Sequence, residues 1–73
     1  MIERAAAYLR ANGCDVNVSG NTMSNRLAFI LFPSKVSNRI SYHCDDNHVT
    51  IGYEGDPEEE IFQKCLTMVR DWD

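Results

Sequence analysis

The chain has 73 residues, a mass of 8.3 kDa and a net charge of −4, so it is too short for a multi-domain enzyme. Hydrophobic residues make up 44% and charged residues 25% of the sequence, which excludes collagen-like repeats and disorder caused by low hydrophobicity. We therefore expect a single α+β domain over residues 1–73, with a core limited in size by the short chain.

The first predicted element is a helix from Ile2 to Ala11. Its apolar residues recur at spacings of three and four, which places them on one face: Ile2, Ala5, Ala6 and Leu9. Gly13 is expected to end this helix, because glycine adopts the left-handed cap conformation without strain. Apolar and polar residues then alternate over residues 14–18, which predicts a strand.

The middle of the chain is predicted to form three further strands. Residues 19–25 are polar and rich in turn-forming types, so we expect a loop there. The stretch from Leu27 to Phe32 is apolar on both faces, which favours a central strand. Residues 39–44 and 49–53 alternate again, which predicts two strands joined by a turn at Asp46-Asn47, with Cys44 opposite Val49.

The last predicted element is a helix that begins near Asp56. Asp56 is a favourable N-cap, Pro57 suits the first helical position, and Glu59 would complete a capping box. The expected buried stripe is Phe62, Cys65, Leu66 and Val69, flanked by Ile61, Met68 and Trp72. The predicted fold is therefore α+β: helix, four-stranded antiparallel meander, helix, with both helices packed on one face of the sheet.

The aromatic residues are divided between the predicted core and the predicted surface. Four of them fall on core-facing positions: Phe29, Tyr42, Tyr53 and Phe62. Tyr8 and Trp72 lie off the main stripes of the helices, where an exposed ring could anchor a partner. With both helices on one face, alternate residues from Leu27 to Phe32 need another cover, which a partner chain or a second copy of this chain would supply.

The cysteines and the absence of long apolar runs indicate the compartment. Cys14, Cys44 and Cys65 are odd in number and include no CxxC pair, so they predict neither a closed disulfide framework nor a zinc site. A small domain without such a staple is typical of a reducing compartment. The sequence contains neither a signal-peptide pattern nor an apolar stretch long enough to span a membrane, so we expect a cytoplasmic protein.

A metal or catalytic site would have to involve His43, Asp45 and His48, which the predicted hairpin places on its polar face. Zinc requires three or four ligands in closed geometry, and Cys44 would point to the opposite side of its strand. A cysteine nucleophile requires a neighbouring base in a cleft, whereas Cys44 and Cys65 fall on apolar stripes. We therefore predict no metal, no cofactor and no enzymatic activity.

The order of helix, meander and helix resembles that of the double-stranded RNA-binding domain and of the small toxin ribonucleases built on the same frame. Those families place basic residues at the start of the last helix, where this chain has Asp56-Pro57-Glu58-Glu59-Glu60. The toxin family also uses a histidine in its early strands, and this chain has none before His43. The prediction is therefore no direct binding of nucleic acid.

Charge is divided unevenly along the chain. Residues 1–44 contain five basic and two acidic residues, whereas residues 45–73 contain two basic and nine acidic residues. The acidic residues concentrate at the start of the last helix: Glu54, Asp56, Glu58, Glu59 and Glu60. One interpretation is that they complement the helix dipole, and the other is that they dock on a basic groove by imitating phosphates.

This profile of small size, acidic C-terminal part and absent catalytic motif resembles the small phage proteins that inhibit bacterial defence, anti-CRISPR proteins among them. The resemblance implies a non-enzymatic inhibitor that blocks a nucleic-acid-handling complex, and its partner-binding residues would be the five acidic residues just named. The alternative, from another class, is a homodimeric structural or assembly subunit that pairs through the sheet face between Leu27 and Phe32.

Overall fold

The computed structural model describes residues 1–71 as two helices and five strands. The helices are α1 (Ile2–Ala11) and α2 (Glu58–Asp71). The strands lie between them in the chain: β1 (Asn17–Ser19), β2 (Thr22–Asn25), β3 (Ala28–Leu31), β4 (Arg39–Cys44) and β5 (Asn47–Tyr53). The prediction of the α+β class is confirmed, and the two helices lie where the apolar periodicity places them.

The first helix ends as its sequence predicts. The backbone N–H of Gly13 donates to the carbonyl of Arg10 at 3.1 Å, and that of Cys14 donates to the carbonyl of Leu9 at 3.0 Å. This pair of bonds is a Schellman motif, and it requires the residue after the cap to be left-handed. Gly13 has a φ of 85°, so it satisfies that requirement without a side-chain clash.

The five strands form one antiparallel sheet in the order of the chain, so the prediction of four strands is wrong. Residues 19–25, expected to form a loop, contain a tight turn and strand β2. Ser19 pairs with Thr22 across a two-residue turn in which Gly20 has a φ of 61°. Glycine takes this conformation easily, so the chain reverses at once and β2 places Met23 in the core.

The two helices and one face of the sheet enclose the core. α1 contacts β1, β2 and α2, and α2 also contacts β5. The largest fully buried side chains come from every layer of this arrangement: Leu9, Met23, Ile30, Ile40, Ile61 and Val69. Both helices thus contribute to a single hydrophobic cluster, and the other face of the sheet remains uncovered by them.

The last helix buries a stripe slightly rotated from the expected one. Its buried residues are Ile61, Cys65, Leu66 and Val69, whereas Phe62 is half-buried. The Phe62 ring lies beside the ring of Tyr8 with 5.8 Å between their centroids, so the two aromatic residues cover the outside of the contact between the helices. Trp72, which is predicted to flank this stripe, lies outside the described residues.

The hairpin of β4 and β5 differs in register from the prediction. Its two-residue turn is Asp45-Asp46, so Cys44 pairs with Asn47 and Tyr42 pairs with Val49. Asp45 has a φ of 53°, a conformation that aspartate tolerates better than most residues with a side chain. The turn therefore forms one residue earlier than the predicted Asp46-Asn47.

A β-bulge in the same hairpin decides which side chains of β5 face the core. Ile40 pairs with Gly52 while Ser41 pairs with Thr50, so Ile51 is an extra residue between them. Ile51 stays buried on the helix side, and the following residues are displaced by one position. Tyr53 consequently pairs with Arg39 and is 47% exposed, which contradicts its predicted place in the core.

The variant Met23→Ala tests whether the chain forms strand β2 within residues 19–25. Met23 is 1% exposed, so its truncation should lower the free energy of unfolding by about 2–5 kcal/mol, whereas the volume-conserving Met23→Leu should cost under about 1.5 kcal/mol. Leu27→Ala is the matched control, because Leu27 is 88% exposed in the next turn. Urea denaturation followed by circular dichroism measures the differences, and equal effects of Met23→Ala and Leu27→Ala would contradict the assignment.

Candidate functional site

Of the five acidic residues singled out in the sequence, Asp56 has a structural role. Its Oδ2 accepts a hydrogen bond from the backbone N–H of Tyr53 at 3.0 Å, and the backbone N–H of Asp56 donates to the carbonyl of Tyr53 at 3.1 Å. These bonds close the turn between β5 and α2. A Cβ on Gly52 would lie 3.2 Å from the same Oδ2, so glycine there leaves room for the turn.

Glu58 is paired with Arg4 of α1. The Arg4 Nε and Nη2 atoms donate to the two carboxylate oxygens of Glu58 at 3.1 Å and 2.5 Å, a two-pronged contact that links the helices. The hydrogen bonds from Arg4 lower the pKa of Glu58, and its positive charge acts in the same direction. Both side chains are largely exposed, so the pair orients the helices more than it stabilises them.

The remaining three acidic residues, Glu54, Glu59 and Glu60, are exposed and make no ion pair with any described residue. Glu60 lines a groove between α2 and β5 with Thr50 and Lys64, while Glu54 lines a hollow beside Met1. Three carboxylates without an ion pair among the described residues therefore stand around the start of α2.

The face of the sheet opposite the helices is a second candidate site, which we call the open face. The strand register places two rows of side chains across it: Asn17, Ser24, Phe29, His43 and His48 in one, and Ser19, Thr22, Leu31, Ser41 and Thr50 in the other. Beyond the bulge, Arg39 and Tyr53 continue it. Phe29 is 39% exposed there, which contradicts its predicted place in the core.

Phe29 faces outwards because its neighbours fix the phase of β3. The stretch from Leu27 to Phe32 is apolar throughout, so composition alone does not distinguish its two sides. Ala28, Ile30 and Phe32 are all buried, and strict alternation then directs Phe29 and Leu31 to the open face.

Three rings and a hydroxyl group form a cluster in the middle of the open face. The rings of Phe29 and His43 are stacked, with 5.1 Å between their centroids and 5° between their planes. The ring of His48 meets that of His43 edge-on, with a centroid distance of 4.2 Å. Ser41 Oγ lies 2.9 Å from His43 Nε2, and the two atoms share a hydrogen bond. His43 is thus held in one orientation by contacts on three sides.

Burial and the neighbouring positive groups favour the neutral form of His43. Burial lowers its pKa below the ordinary value of 6.5, and the neighbouring His48 and Arg39 lower it further. The folded protein then binds this proton less readily than the unfolded chain. The stability that neutral His43 contributes is complete above pH 6.5 and is lost as the pH falls towards its folded-state pKa.

The histidines and cysteines do not form a cluster of metal ligands among the described residues. No group of three His, Cys, Asp or Glu side chains within residues 1–71 could hold a metal ion. Burial raises the pKa of the Cys65 thiol to about 12, so it remains protonated in the core. Cys14 and Cys44 are half-buried, and all three thiols are free.

The sequence singles out His43 and His48 and places Ser41 on the same face as His43, but it does not indicate Phe29 and Arg39 as their neighbours. Its pattern predicts Phe29 in the core, and the register that joins the three strands depends on turns whose lengths the composition does not specify. The alternation of residues 39–44 was the available signal, because it already separates Arg39, Ser41 and His43 from the buried side.

The comparisons with known proteins do not identify a family. No family model and no solved structure matches the chain. The chaperone protein DnaJ of Helicobacter pylori matches 43 residues at 23% identity, which is 59% of this chain. The chain spans 12% of the length of DnaJ. Within residues 1–71, neither helix is long and apolar enough to cross a membrane.

We expect His48→Gln to raise the pKa of His43 towards its ordinary value, because one of the positive charges that oppose protonation is removed. NMR titration of the His43 ring protons measures this shift directly. The loss of thermal stability on acidification below pH 6.5 should also become smaller.

Thr50→Val is the control for this titration, because it changes a neutral residue on the same strand and should leave the pKa of His43 unmoved. A His43 pKa that stays constant or falls in His48→Gln would show that the two imidazoles are not coupled as described.

Proposed function

We propose that the chain is a small non-enzymatic protein-binding module that inhibits a nucleic-acid-handling complex by occupying its basic surface. The observation that carries the proposal is the set of exposed carboxylates around the start of α2, which no cation of the described residues neutralises: Glu54, Glu59 and Glu60. The anti-CRISPR-like profile of a small, acidic phage inhibitor gives the same expectation, and the proposed location is the cytoplasm.

Helix-dipole complementarity alone does not account for these three carboxylates. Glu59 and Glu60 lie in the first turn of α2, where acidic residues interact favourably with the helix N-terminus, but Glu54 precedes the helix by four residues. Charges left unpaired on a surface cost little in water and attract an oppositely charged partner over several ångströms. They accelerate association and select the partner by charge.

The structural roles of Asp56 and Glu58 narrow the proposed binding set. Asp56 holds the turn before α2 and Glu58 holds Arg4, so replacing either would disturb the fold as well as the surface charge. The proposed binding residues are therefore Glu54, Glu59 and Glu60, and the test variant changes these three residues alone.

The alternative of a homodimeric assembly subunit now depends on Phe29 and Leu31, the two residues of β3 that face away from the helices. Leu27, in the same apolar stretch, is exposed in the turn before the strand. Around them the open face carries hydroxyl, amide and imidazole groups, whereas homodimer interfaces are usually richer in apolar area. We rank this alternative second.

The proposal predicts that Glu54→Gln, Glu59→Gln and Glu60→Gln, combined in one variant, abolish capture of the partner. The wild-type chain should recover a stoichiometric, nuclease-resistant partner from lysate at low salt and lose it at high salt. With that partner purified, the triple variant should associate at least about tenfold more slowly at low salt and should no longer block nucleic-acid binding by the partner.

The matched control removes three exposed acidic residues elsewhere, by Glu3→Gln, Asp15→Asn and Asp46→Asn, with the same change in net charge. It should retain association and inhibition. If the control variant loses as much association and inhibition as the test variant, the effect comes from overall charge. If the test variant retains inhibition, the proposed binding surface is wrong. Recovery of the chain alone as a salt-resistant dimer would favour the assembly alternative.

A further inference from the structure

We propose that the open face of the sheet binds single-stranded nucleic acid, with an unpaired base stacked on Phe29 and the phosphate backbone directed towards Arg39. This surface borders the acidic one at β5, where Thr50 shares a groove with Glu60 and Glu54 follows Tyr53, but the proposal does not depend on the acidic residues. The expectation that the chain makes no direct contact with nucleic acid came from the acidic start of α2, which packs on the opposite side of the sheet.

The aromatic rings of the open face leave one side of Phe29 free for stacking. Phe29 is stacked on His43 on one side, and its neighbour in the register on the other side is Ser24, whose side chain is too small to cover a ring. With 39% of Phe29 exposed, part of its ring is open to a planar group. Every nucleobase has such a face, so stacking on aromatic side chains is a general mode of single-strand binding.

The charge of the open face suits an anionic ligand. None of the twelve residues that the register places there is acidic, although the chain as a whole carries a net charge of −4. Arg39 is exposed, and Lys35 is exposed in the loop between β3 and β4. Charge complementarity therefore favours an anionic ligand on this side, which a phosphate backbone provides.

The space beside the ring cluster offers polar contacts to a ligand. A hollow of about 310 Å³ lies at the end of the open face near the β3–β4 loop, and Ser34, Ser37, Arg39, Ser41 and His43 contribute to its lining. Ser41 is buried and bonded to His43, but Ser34, Ser37 and Arg39 are exposed. Their hydroxyl and guanidinium groups suit sugar and phosphate oxygens, which accept hydrogen bonds. A base on Phe29 would then have its own backbone within reach of donors.

The same features disfavour other occupants. The bases of a duplex are already stacked on one another, so Phe29 would have no free face to contact. A second copy of the chain would have to bury many polar groups to cover Phe29 and Leu31. An acidic peptide would match Arg39 but would leave the exposed ring without a planar partner. Single-stranded nucleic acid provides a base to stack on Phe29, a phosphate to pair with Arg39, and sugar and phosphate oxygens to fill the hollow.

The test is fluorescence anisotropy with labelled single-stranded DNA and RNA of about ten nucleotides, titrated with the full chain. At about 50 mM salt we expect a Kd between about 1 and about 100 µM, in the range of sequence-independent binding. A duplex of the same sequence should bind at least about fivefold more weakly, because its bases are not free to stack. The comparison of DNA with RNA shows whether the 2′-hydroxyl contributes.

Two variants locate the site. Phe29→Leu keeps an apolar side chain but removes the ring, so it should weaken binding by about fivefold or more. Arg39→Gln should weaken binding and lower the slope of log Kd against log salt by about 0.7, the share of one phosphate on a single strand. Leu27→Ser and Lys64→Gln are the matched controls, since they change an exposed apolar and an exposed basic residue off the open face.

Chemical-shift mapping of the wild-type chain provides a measurement that needs no variant. Addition of the oligonucleotide should shift the ring signals of Phe29 and His43 and leave those of Tyr8 and Phe62 between the helices unmoved. The variant Glu54→Gln, Glu59→Gln and Glu60→Gln should bind oligonucleotides at least as tightly as the wild type, so failure here is distinguishable from failure of the inhibitor proposal.

Several results would overturn the proposal. They are absence of binding at low salt, equal affinity for single strand and duplex, equal effects of the test variants and their controls, and shifts confined to α2. Self-association of the chain that Phe29→Leu abolishes would show that a second copy occupies the open face instead.

Discussion

The constraint that shapes this protein is that two helices cover only one face of its sheet. A chain of 73 residues provides ten residues for α1 and fourteen for α2, and both are needed to enclose side chains such as Ile30 and Ile40. The opposite face therefore meets water, and antiparallel strands tolerate this when they alternate apolar and polar residues. The hydroxyl, amide and imidazole groups of the open face follow from this one-sided core.

The bulge at Ile51 connects the core to both candidate sites. It keeps Ile51 buried and turns Tyr53 to the open face, beside Arg39. It also brings Gly52 close to Ile61, since a Cβ on Gly52 would lie 3.5 Å from Ile61 Cγ1. The turn held by Asp56 starts one residue later, so one irregularity in the sheet determines where α2 begins and where its free carboxylates stand.

The sequence was sufficient for the features that depend on local periodicity. The helices were predictable because Ala5, Ala6 and Leu9 repeat on one face and Gly13 supplies the stop. Strand β2 was not predictable from composition, because Thr, Ser and Asn are common in loops and Met23 is its single apolar residue. The pairing of β2 with β3 decides its state, and pairing is a tertiary property.

In the candidate sites, too, the sequence indicates local patterns but not tertiary contacts. The acidic residues were evident as a run of like charges, but their contacts were not, since the roles of Asp56 and Glu58 depend on Tyr53 and on the distant Arg4. The stack of Phe29 on His43 joins residues on neighbouring strands and requires the correct phase for both. A β-bulge and a two-residue turn change phase by single residues, which alternation alone does not resolve.

The two edges of the sheet bear on how the protein avoids aggregation. An exposed edge strand offers unpaired backbone groups to other chains, which invites the growth of intermolecular sheets. At one edge, β1 has three residues, too few to template an extended pairing. At the other edge, the bulge interrupts the longer β5, and Glu60 and Lys64 place charges in the adjacent groove. The β-bulge at Ile51, which helps to position both candidate sites, therefore also makes β5 a poor template for pairing with strands of other chains.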